Sequence, residues 1–178
     1  MSGFGIKSNG DKVKQKYIDA YMDAAKRFAE LSHATRLKVG AVIVKDDTLT
    51  YGYNGMPSGW DNTCEDMEYT YDSREANSPD WKYDVETKKY YRTKTKPEVL
   101  HAESNAIAKL AKSTLSGQGA DIFITHSPCM ECAKLIHQAG IKRVFFGAYY
   151  RDDSGIKFLE KSGVTVVTPE MQEFTKTH

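Results

Sequence analysis

Hydrophobic positions recur every three or four residues near the start of the chain. Between residues 11 and 33 the apolar side chains are Val13, Tyr17, Ala20, Tyr21, Ala24, Phe28 and Leu31. This spacing places them on one face of a helix. Residues 38–54 then change to two β-rich runs joined by the polar Lys45, Asp46 and Asp47. The pattern predicts an amphipathic helix followed by a β-hairpin.

After residue 100, segments of helix length alternate with shorter β-rich runs. The pattern predicts a helix from 101, a strand over 121–126, a helix over 128–139, a strand over 143–150, a short helix near 154–162, a strand over 164–168 and a C-terminal helical tail. Such alternation implies crossover connections and a sheet covered on both faces, to which the hairpin adds an antiparallel pair. We therefore expect an α/β fold: a three-layer α/β/α sandwich around a mixed five-stranded sheet.

Residues 61–98 have a different composition, rich in Asp, Glu, Lys and Tyr. A structureless loop of this length is unusual in a compact domain. Alternation over 81–95 predicts an added β-hairpin with Tyr83 and Val85 on one face. The segment either covers a site or an oligomer interface, or is a tolerated surface insertion. The length of 178 residues favours one domain over 1–178 that carries this insertion.

Charge and cysteine content narrow the function classes. The formal net charge is +1, which gives no global field to attract nucleic acid or an anionic membrane. No apolar run has the length of a signal peptide core or a membrane span, so we expect a cytoplasmic protein. Three cysteines cannot all pair with one another, and a Cys-x-x-Cys in a reducing compartment is more often metal-binding or catalytic than a disulfide.

Two short stretches carry the chemistry. His101 begins one predicted helix, and Cys129 and Cys132 begin the next, directly after Pro128. A catalytic zinc keeps three nitrogen or sulfur ligands and leaves a fourth position for water. Thiols at a helix N-terminus ionise readily because the helix dipole stabilises the thiolate. His101, Cys129 and Cys132 are therefore the predicted ligands of a catalytic Zn²⁺.

Glu103 lies two residues after His101. On a regular helix its side chain would point away from the ligand direction, which disfavours direct metal binding. A position near the activated water is more plausible, where the carboxylate accepts a proton and passes it to the substrate. Glu103 is therefore the predicted catalytic residue.

Other interpretations of the cysteines remain open at this point. Cys129 and Cys132 alone are also typical of a redox pair or of half a structural zinc site. A closed site would need a fourth ligand from Cys64, His126 or His137, and their spacing does not favour it. The ordered combination of His-x-Glu with Pro-Cys-x-x-Cys is, however, the signature of zinc-dependent nucleobase deaminases.

The chain further resembles the deoxycytidylate (dCMP) deaminase family. The matching segments are KVGAVIV at 38–44, GYNGMPSG at 52–59, HAESNAI at 101–107, SPCMECAKLIHQAGIKRVFF at 127–146 and AYYRDDSGIKFLEKSGV at 148–164. The resemblance covers nearly everything except the first fifteen residues and 61–98. The GYNGMPSG segment carries the dCMP assignment, since the zinc motifs specify only the superfamily.

The resemblance implies a cytidine deaminase-like fold and hydrolysis of dCMP to dUMP and ammonia, which feeds thymidylate synthesis. Activated water would attack C4 of cytosine while Glu103 protonates N3 and later helps ammonia leave. Asn54 would hydrogen-bond the deoxyribose, although Asn54-Gly55 is also typical of a hairpin turn. Ala102 would also contact the substrate.

Phosphate and base contacts follow by analogy. Arg36 and Lys38 are the basic candidates for the 5′-phosphate, because a guanidinium suits bidentate phosphate binding. Tyr150 could stack on the pyrimidine. The alternatives are solvated basic side chains and a core or interface tyrosine.

The family resemblance also implies regulation and assembly. Many members are homohexamers activated by dCTP with Mg²⁺ and inhibited by dTTP. A second nucleotide site would draw on Gly55, Asn105, Lys109 and Lys112, although the two lysines could simply face solvent.

Three rival functions remain. A deaminase acting on tRNA or single-stranded DNA would share the zinc site, but near-zero charge and the lack of a basic stripe disfavour it. A free-nucleoside or free-base deaminase is disfavoured by GYNG together with Arg36. A non-enzymatic zinc-stabilised interaction module would need a fourth protein ligand.

Overall fold

The computed structural model describes residues 13–174. The strands are β1 (Gly40–Lys45), β2 (Thr48–Tyr53), β3 (Glu65–Thr70), β4 (Lys82–Asp84), β5 (Lys89–Thr95), β6 (Asp121–His126), β7 (Arg143–Ala148) and β8 (Thr165–Val167). The helices are α1 (Gln15–Ala29), α2 (Ala102–Ala111), α3 (Met130–Gln138), α4 (Ser154–Lys161) and α5 (Pro169–Phe174). None of the described helices is long and apolar enough to cross a membrane.

The main sheet has five strands in the order β2-β1-β6-β7-β8. Strand β1 pairs antiparallel with β2 and β6, whereas β6, β7 and β8 are parallel. The parallel strands are connected through α3 and α4, because parallel neighbours need a crossover connection, usually a helix. The predicted mixed five-stranded sheet is confirmed.

Helices cover both faces of this sheet. On one face, α1 packs Met22 and Ala25 against a cluster that includes Phe123 and Phe145, whose rings stack 4.6 Å apart. On the other face, residues of α2, α3 and α4 join the alternate positions of the same strands, among them Ile122 and Ile124. Because the central strands bury both faces, their runs are almost continuously apolar. The three-layer α/β/α arrangement is confirmed.

Two glycines bring helices close enough to build the site. A Cβ on Gly52 of β2 would lie 2.1 Å from the carbonyl oxygen of Ala102, so only glycine lets the first turn of α2 rest on the strand. A Cβ on Gly155 of α4 would lie 2.1 Å from the carbonyl oxygen of Pro128. These contacts fix where α2 and α3 begin.

The 61–98 segment forms a second, three-stranded sheet in the order β3-β5-β4. The predicted hairpin is present as β4 and β5, but the third strand β3 was missed. Placing Val85 beside Tyr83 on a strand was wrong. The Asp84 carboxylate accepts the backbone N–H of Glu86 and Thr87, which ends β4 and leaves Val85 in the turn.

Several predicted element ends differ by a few residues. Helix α1 covers 15–29 rather than 11–33, and Leu31 beyond its end is 52% exposed. Strand β7 ends at Ala148, which leaves Tyr150 in the following loop. The predicted C-terminal helix is α5; residues 1–12 and 175–178 lie outside the described part of the chain.

Candidate active site

The three predicted ligands meet where α2 and α3 begin. His101 is the N-cap residue of α2 and Cys129 that of α3, both with extended backbone. Cys132 lies in the first turn of α3 and is buried. Cys129 follows three residues after the end of strand β6, so the cluster lies beyond the carboxyl end of a central strand.

The side chains of this cluster fit a tetrahedral zinc ion. His101 Nδ1 lies 3.3 Å from Cys132 Sγ and 3.6 Å from Cys129 Sγ, and all three ligand atoms lie within 4.8 Å of one another. Ordinary zinc bond lengths in a tetrahedron place a nitrogen and a sulfur ligand about 3.6 Å apart. Within residues 13–174 no fourth His, Cys, Asp or Glu joins the group.

The electrostatics of the cluster favour a cation. The pKa of Cys129 is lowered to about 4, because the Cys132 thiol and the His101 ring both hydrogen-bond to its sulfur. The same contact with Cys129, together with burial, raises the pKa of Cys132. The Cys129 contact also raises the pKa of His101. The lowered pKa of Cys129 favours its thiolate form near neutral pH, and a bound cation would favour loss of the Cys132 thiol proton.

Glu103 is buried beside the cluster, with an exposed fraction of 4%. Burial raises the pKa of its carboxyl group, and Cys132 is within hydrogen-bonding reach. The group of side chains that could hold a metal does not include this carboxylate. Its contact with Cys132 places the carboxyl group beside the sulfur of a predicted ligand.

A cavity of about 530 Å³ opens onto the cluster. Its walls include His101, Glu103 and Cys129, and also the predicted substrate residues Ala102 and Asn54. Arg36 and Tyr150 line it as well. Since drug-sized and nucleotide-sized ligands occupy cavities of roughly 300–1,000 Å³, its size suits a mononucleotide.

Asn54 uses its amide to hold the neighbouring backbone. Its Oδ1 accepts the Val39 N–H at 2.8 Å, and its Nδ2 donates to the Leu37 carbonyl at 2.9 Å. The amide keeps one further hydrogen and one lone pair. Asn54 therefore fixes residues 37–39 of the cavity wall, whether or not it also contacts the substrate.

Arg36 and Lys38 differ in placement. The Arg36 guanidinium donates to Thr95 Oγ1 at 3.3 Å and to Asp80 Oδ2 at 3.4 Å, both in the 61–98 segment. The Lys38 ammonium is exposed and donates to the Glu30 carbonyl at 3.4 Å, and Lys38 does not line the cavity. Of the two predicted phosphate ligands, the structure therefore places only Arg36 at the cavity wall.

Tyr150 stands at the cavity wall in the loop after β7. Its backbone N–H donates to Ser127 Oγ at 2.8 Å, which ties the loop to the residue before Pro128. The Arg151 guanidinium lies 5.4 Å from the centre of the Tyr150 ring. Tyr150 is 37% exposed and lines the cavity, and stacking of its ring on a base stays a prediction.

The residues predicted for a regulatory site lie outside this cavity. Gly55 forms a backbone bridge with Leu100, and Asn105 Nδ2 donates to the Tyr53 carbonyl at 2.9 Å. Lys109 lies 3.7 Å from the centre of the Tyr51 ring, and burial lowers its pKa. Lys112 is exposed.

Sequence reasoning missed much of the cavity wall. The lining residues not identified as such are Glu65, Pro79, Asp80, Lys82, Thr93, Thr95, His126, Ser127 and Arg151, among others. Six of the nine residues named here belong to the 61–98 segment, so this second sheet lines one side of the site. Of the alternatives for this segment, coverage of a site agrees with this lining. The local sequence did not indicate which residues face the cavity, because the contact depends on how the segment folds back.

Comparison with known proteins agrees with this geometry. Residues 15–148 match the family model described as "Cytidine and deoxycytidylate deaminase zinc-binding region". Homo sapiens deoxycytidylate deaminase is 34% identical over 148 residues, 82% of this chain and 71% of that protein. The Bacillus subtilis ComE operon protein 2 is 32% identical over 155 residues, 86% of this chain and 71% of that protein.

A solved structure is similar over most of its length. The crystal structure of dCMP deaminase from the cyanophage S-TIM5, in complex with dCMP and dUMP, has a TM-score of 0.70 and 38% sequence identity. The similarity covers 88% of this chain and 99% of that one.

Proposed function

The chain belongs to the cytidine and deoxycytidylate deaminase zinc-binding family, and on this premise we propose that it hydrolyses dCMP to dUMP and ammonia, supplying dUMP for thymidylate synthesis. The observation that carries the proposal is the set of groups that line the cavity. It combines an open His101, Cys129 and Cys132 cluster, a buried carboxylate and the mononucleotide-sized space between them. The likeness to a dCMP deaminase solved with dCMP and dUMP supports the choice of substrate.

In this mechanism His101, Cys129 and Cys132 hold the zinc ion. Bound zinc supplies a Lewis acid that lets water act as a nucleophile near neutral pH. Glu103 accepts a proton from the attacking water and delivers it to N3 of cytosine. The carboxylate then takes the second proton from the hydroxyl group now bonded to C4 and passes it to the amino group as the C4–N bond breaks, so water and dCMP give dUMP and ammonia. Burial raises the pKa of Glu103, which suits a group that must both take and give a proton.

The remaining residues bind and orient the nucleotide. Arg36 donates to the 5′-phosphate, with Thr95 and Asp80 holding its guanidinium at the cavity wall. Asn54 contacts the deoxyribose through the amide hydrogen and the oxygen lone pair that its hydrogen bonds to the backbone leave free. Tyr150 stacks on the pyrimidine, and Ala102 leaves room for the base because its side chain is a single methyl group.

The substrate assignment is tested by ammonia release from dCMP, deoxycytidine, CMP, dCTP and a tRNA anticodon fragment. We expect dCMP to give the highest kcat/KM, because the cavity is closed on one side by the 61–98 segment and offers Arg36 to a phosphate. Turnover of the RNA alone would exclude this proposal and favour a polynucleotide deaminase.

The phosphate role of Arg36 is tested by Arg36→Ala, with Arg36→Lys as the matched variant that keeps the charge. Loss of a charge-assisted hydrogen bond should raise KM for dCMP by about 10- to 100-fold with little change for deoxycytidine. Arg36→Lys should show an intermediate increase, since an ammonium cannot bind bidentately. An equal KM increase for dCMP and deoxycytidine would remove the phosphate role.

Regulation, assembly and location stay predictions. Activation by dCTP with Mg²⁺, inhibition by dTTP, a homohexamer and a cytoplasmic location all come from the family resemblance or from the sequence.

A further inference from the structure

His126 is a cavity residue that the proposed mechanism does not use. It ends β6 and shares its sheet face with Ile122 and Ile124, which pack against the helices that carry the metal cluster. The group able to hold a metal does not include it. It is half-buried, and it precedes Cys129 by three residues.

A chain of hydrogen bonds decides which nitrogen of His126 carries the proton. The buried Thr125 hydroxyl accepts the backbone N–H of Gly40 at 3.2 Å and lies 3.1 Å from His126 Nδ1. These are the hydroxyl's partners within residues 13–174. A buried hydroxyl hydrogen left without an acceptor would cost roughly 1–3 kcal/mol. The Thr125 hydroxyl therefore donates to His126 Nδ1.

The tautomer follows from this direction. With Nδ1 acting as the acceptor, the ring proton of a neutral imidazole lies on Nε2. Burial lowers the pKa of His126 below its ordinary value, which favours the neutral ring. The half-buried ring is thus held by Thr125 on one side, and its Nε2–H is a donor not used by Thr125.

We propose that His126 is a specificity-determining residue that donates its Nε2–H to an oxygen of the nucleoside part of the substrate. The inference rests on the proposed function, since it assumes a nucleotide in the cavity. The reacting base must lie at the metal cluster, and His126 lies close along the chain to Cys129. A neutral donor also suits a neutral carbonyl or sugar oxygen, whereas the phosphate is matched by the charged Arg36.

The kinetic test compares three variants at His126. In His126→Gln the amide nitrogen reproduces the position of Nε2, whereas His126→Asn places its amide near Nδ1 and His126→Phe has no donor. We expect kcat/KM for dCMP to fall by about tenfold in His126→Phe and His126→Asn, and by no more than about threefold in His126→Gln. Equal losses in His126→Gln and His126→Phe would overturn the proposal, because only shape would then matter.

The second test detects which ring nitrogen of His126 carries the proton, and it does not depend on turnover. In wild-type protein with ¹⁵N-labelled histidine, the ring signals of His126 should show a protonated Nε2 and an unprotonated Nδ1. Their absence from His126→Gln assigns them among the five histidines. Excess dUMP, which carries the same sugar and phosphate as the substrate, should shift the Nε2 signal.

The outcomes separate this proposal from the proposed function. A protonated Nδ1, or an Nε2 signal that excess dUMP leaves unchanged, would overturn the role of His126. Wild-type protein that releases no ammonia from dCMP would instead overturn the proposed function. The tautomer and the dUMP shift can still be measured in that case.

Discussion

Replacing Glu103 by Ala is expected to lower kcat for dCMP deamination by about 100- to 10,000-fold, the range in which general acid–base catalysis contributes. Zinc content should stay at about one ion per chain, because the ligands are His101, Cys129 and Cys132. The value of kcat should fall because Glu103 is the buried carboxyl group beside the metal cluster, where the proton must pass from water to N3. Glu103→Gln should be as inactive, since an amide keeps the shape of the side chain but cannot shuttle a proton.

Glu131 offers the matched control. It lies between Cys129 and Cys132 in the sequence, yet it is exposed and pairs with the Lys134 ammonium at 2.7 Å. Glu131→Gln should therefore keep nearly full activity, because an exposed ion pair contributes little. Kinetics and metal analysis of both variants check the prediction. Full activity in Glu103→Ala would contradict the mechanism.

The main sheet could be predicted because its strands and helices carry strong local patterns. The predicted bounds of β6 agree with the structure at both ends, since residues 121–125 are all buried and flanked by polar loops. Strand β7 was predicted two residues too long, because Tyr149 and Tyr150 have high β-propensity but follow the last paired residue, Ala148. Tertiary pairing, which the local pattern does not contain, sets the end of that strand.

The second sheet was only half predictable. Strand β3 has the sequence EDMEYT, in which Met67 and Tyr69 are exposed and acidic residues fill three of the other four positions. Its partners on β5 lie far along the chain, as in the pairing of Glu65 with Thr95. A periodicity argument identifies neither the partner strand nor the register, so the sequence left open whether this segment covers a site and which of its residues would line it.

The candidate site, like the fold, was predictable only in part. Family membership is confirmed, and the motifs predicted a cluster whose three side chains the structure brings together. The contacts that orient the surroundings were not predictable, because they join distant parts of the chain. Arg36 meets Thr95, Gly40 meets Thr125, and Asn54 meets Val39. Sequence motifs thus identified the chemistry, and the fold determines which groups surround it.

Replacing Cys132 by Ala is expected to weaken zinc binding by at least about 100-fold, since even loss of a residue that only supports a ligand costs about 10- to 100-fold. Deamination of dCMP should fall in proportion to the zinc lost. The Cys132 sulfur lies 3.3 Å from His101 Nδ1, so its removal leaves a two-ligand site that competes poorly with water for the metal. Metal analysis after dialysis, with the activity assay, checks this outcome.

Cys64→Ala is the control, because Cys64 is as buried as Cys132 but packs against Ala34 and Val99 away from the cluster. It should keep its zinc and its kcat, and lose only about 1 kcal/mol of unfolding free energy from the smaller side chain. Both variants remove the same sulfur atom from a buried position. The difference in their zinc content therefore measures metal binding separately from core packing, and equal zinc retention in the two would show that Cys132 is not a ligand.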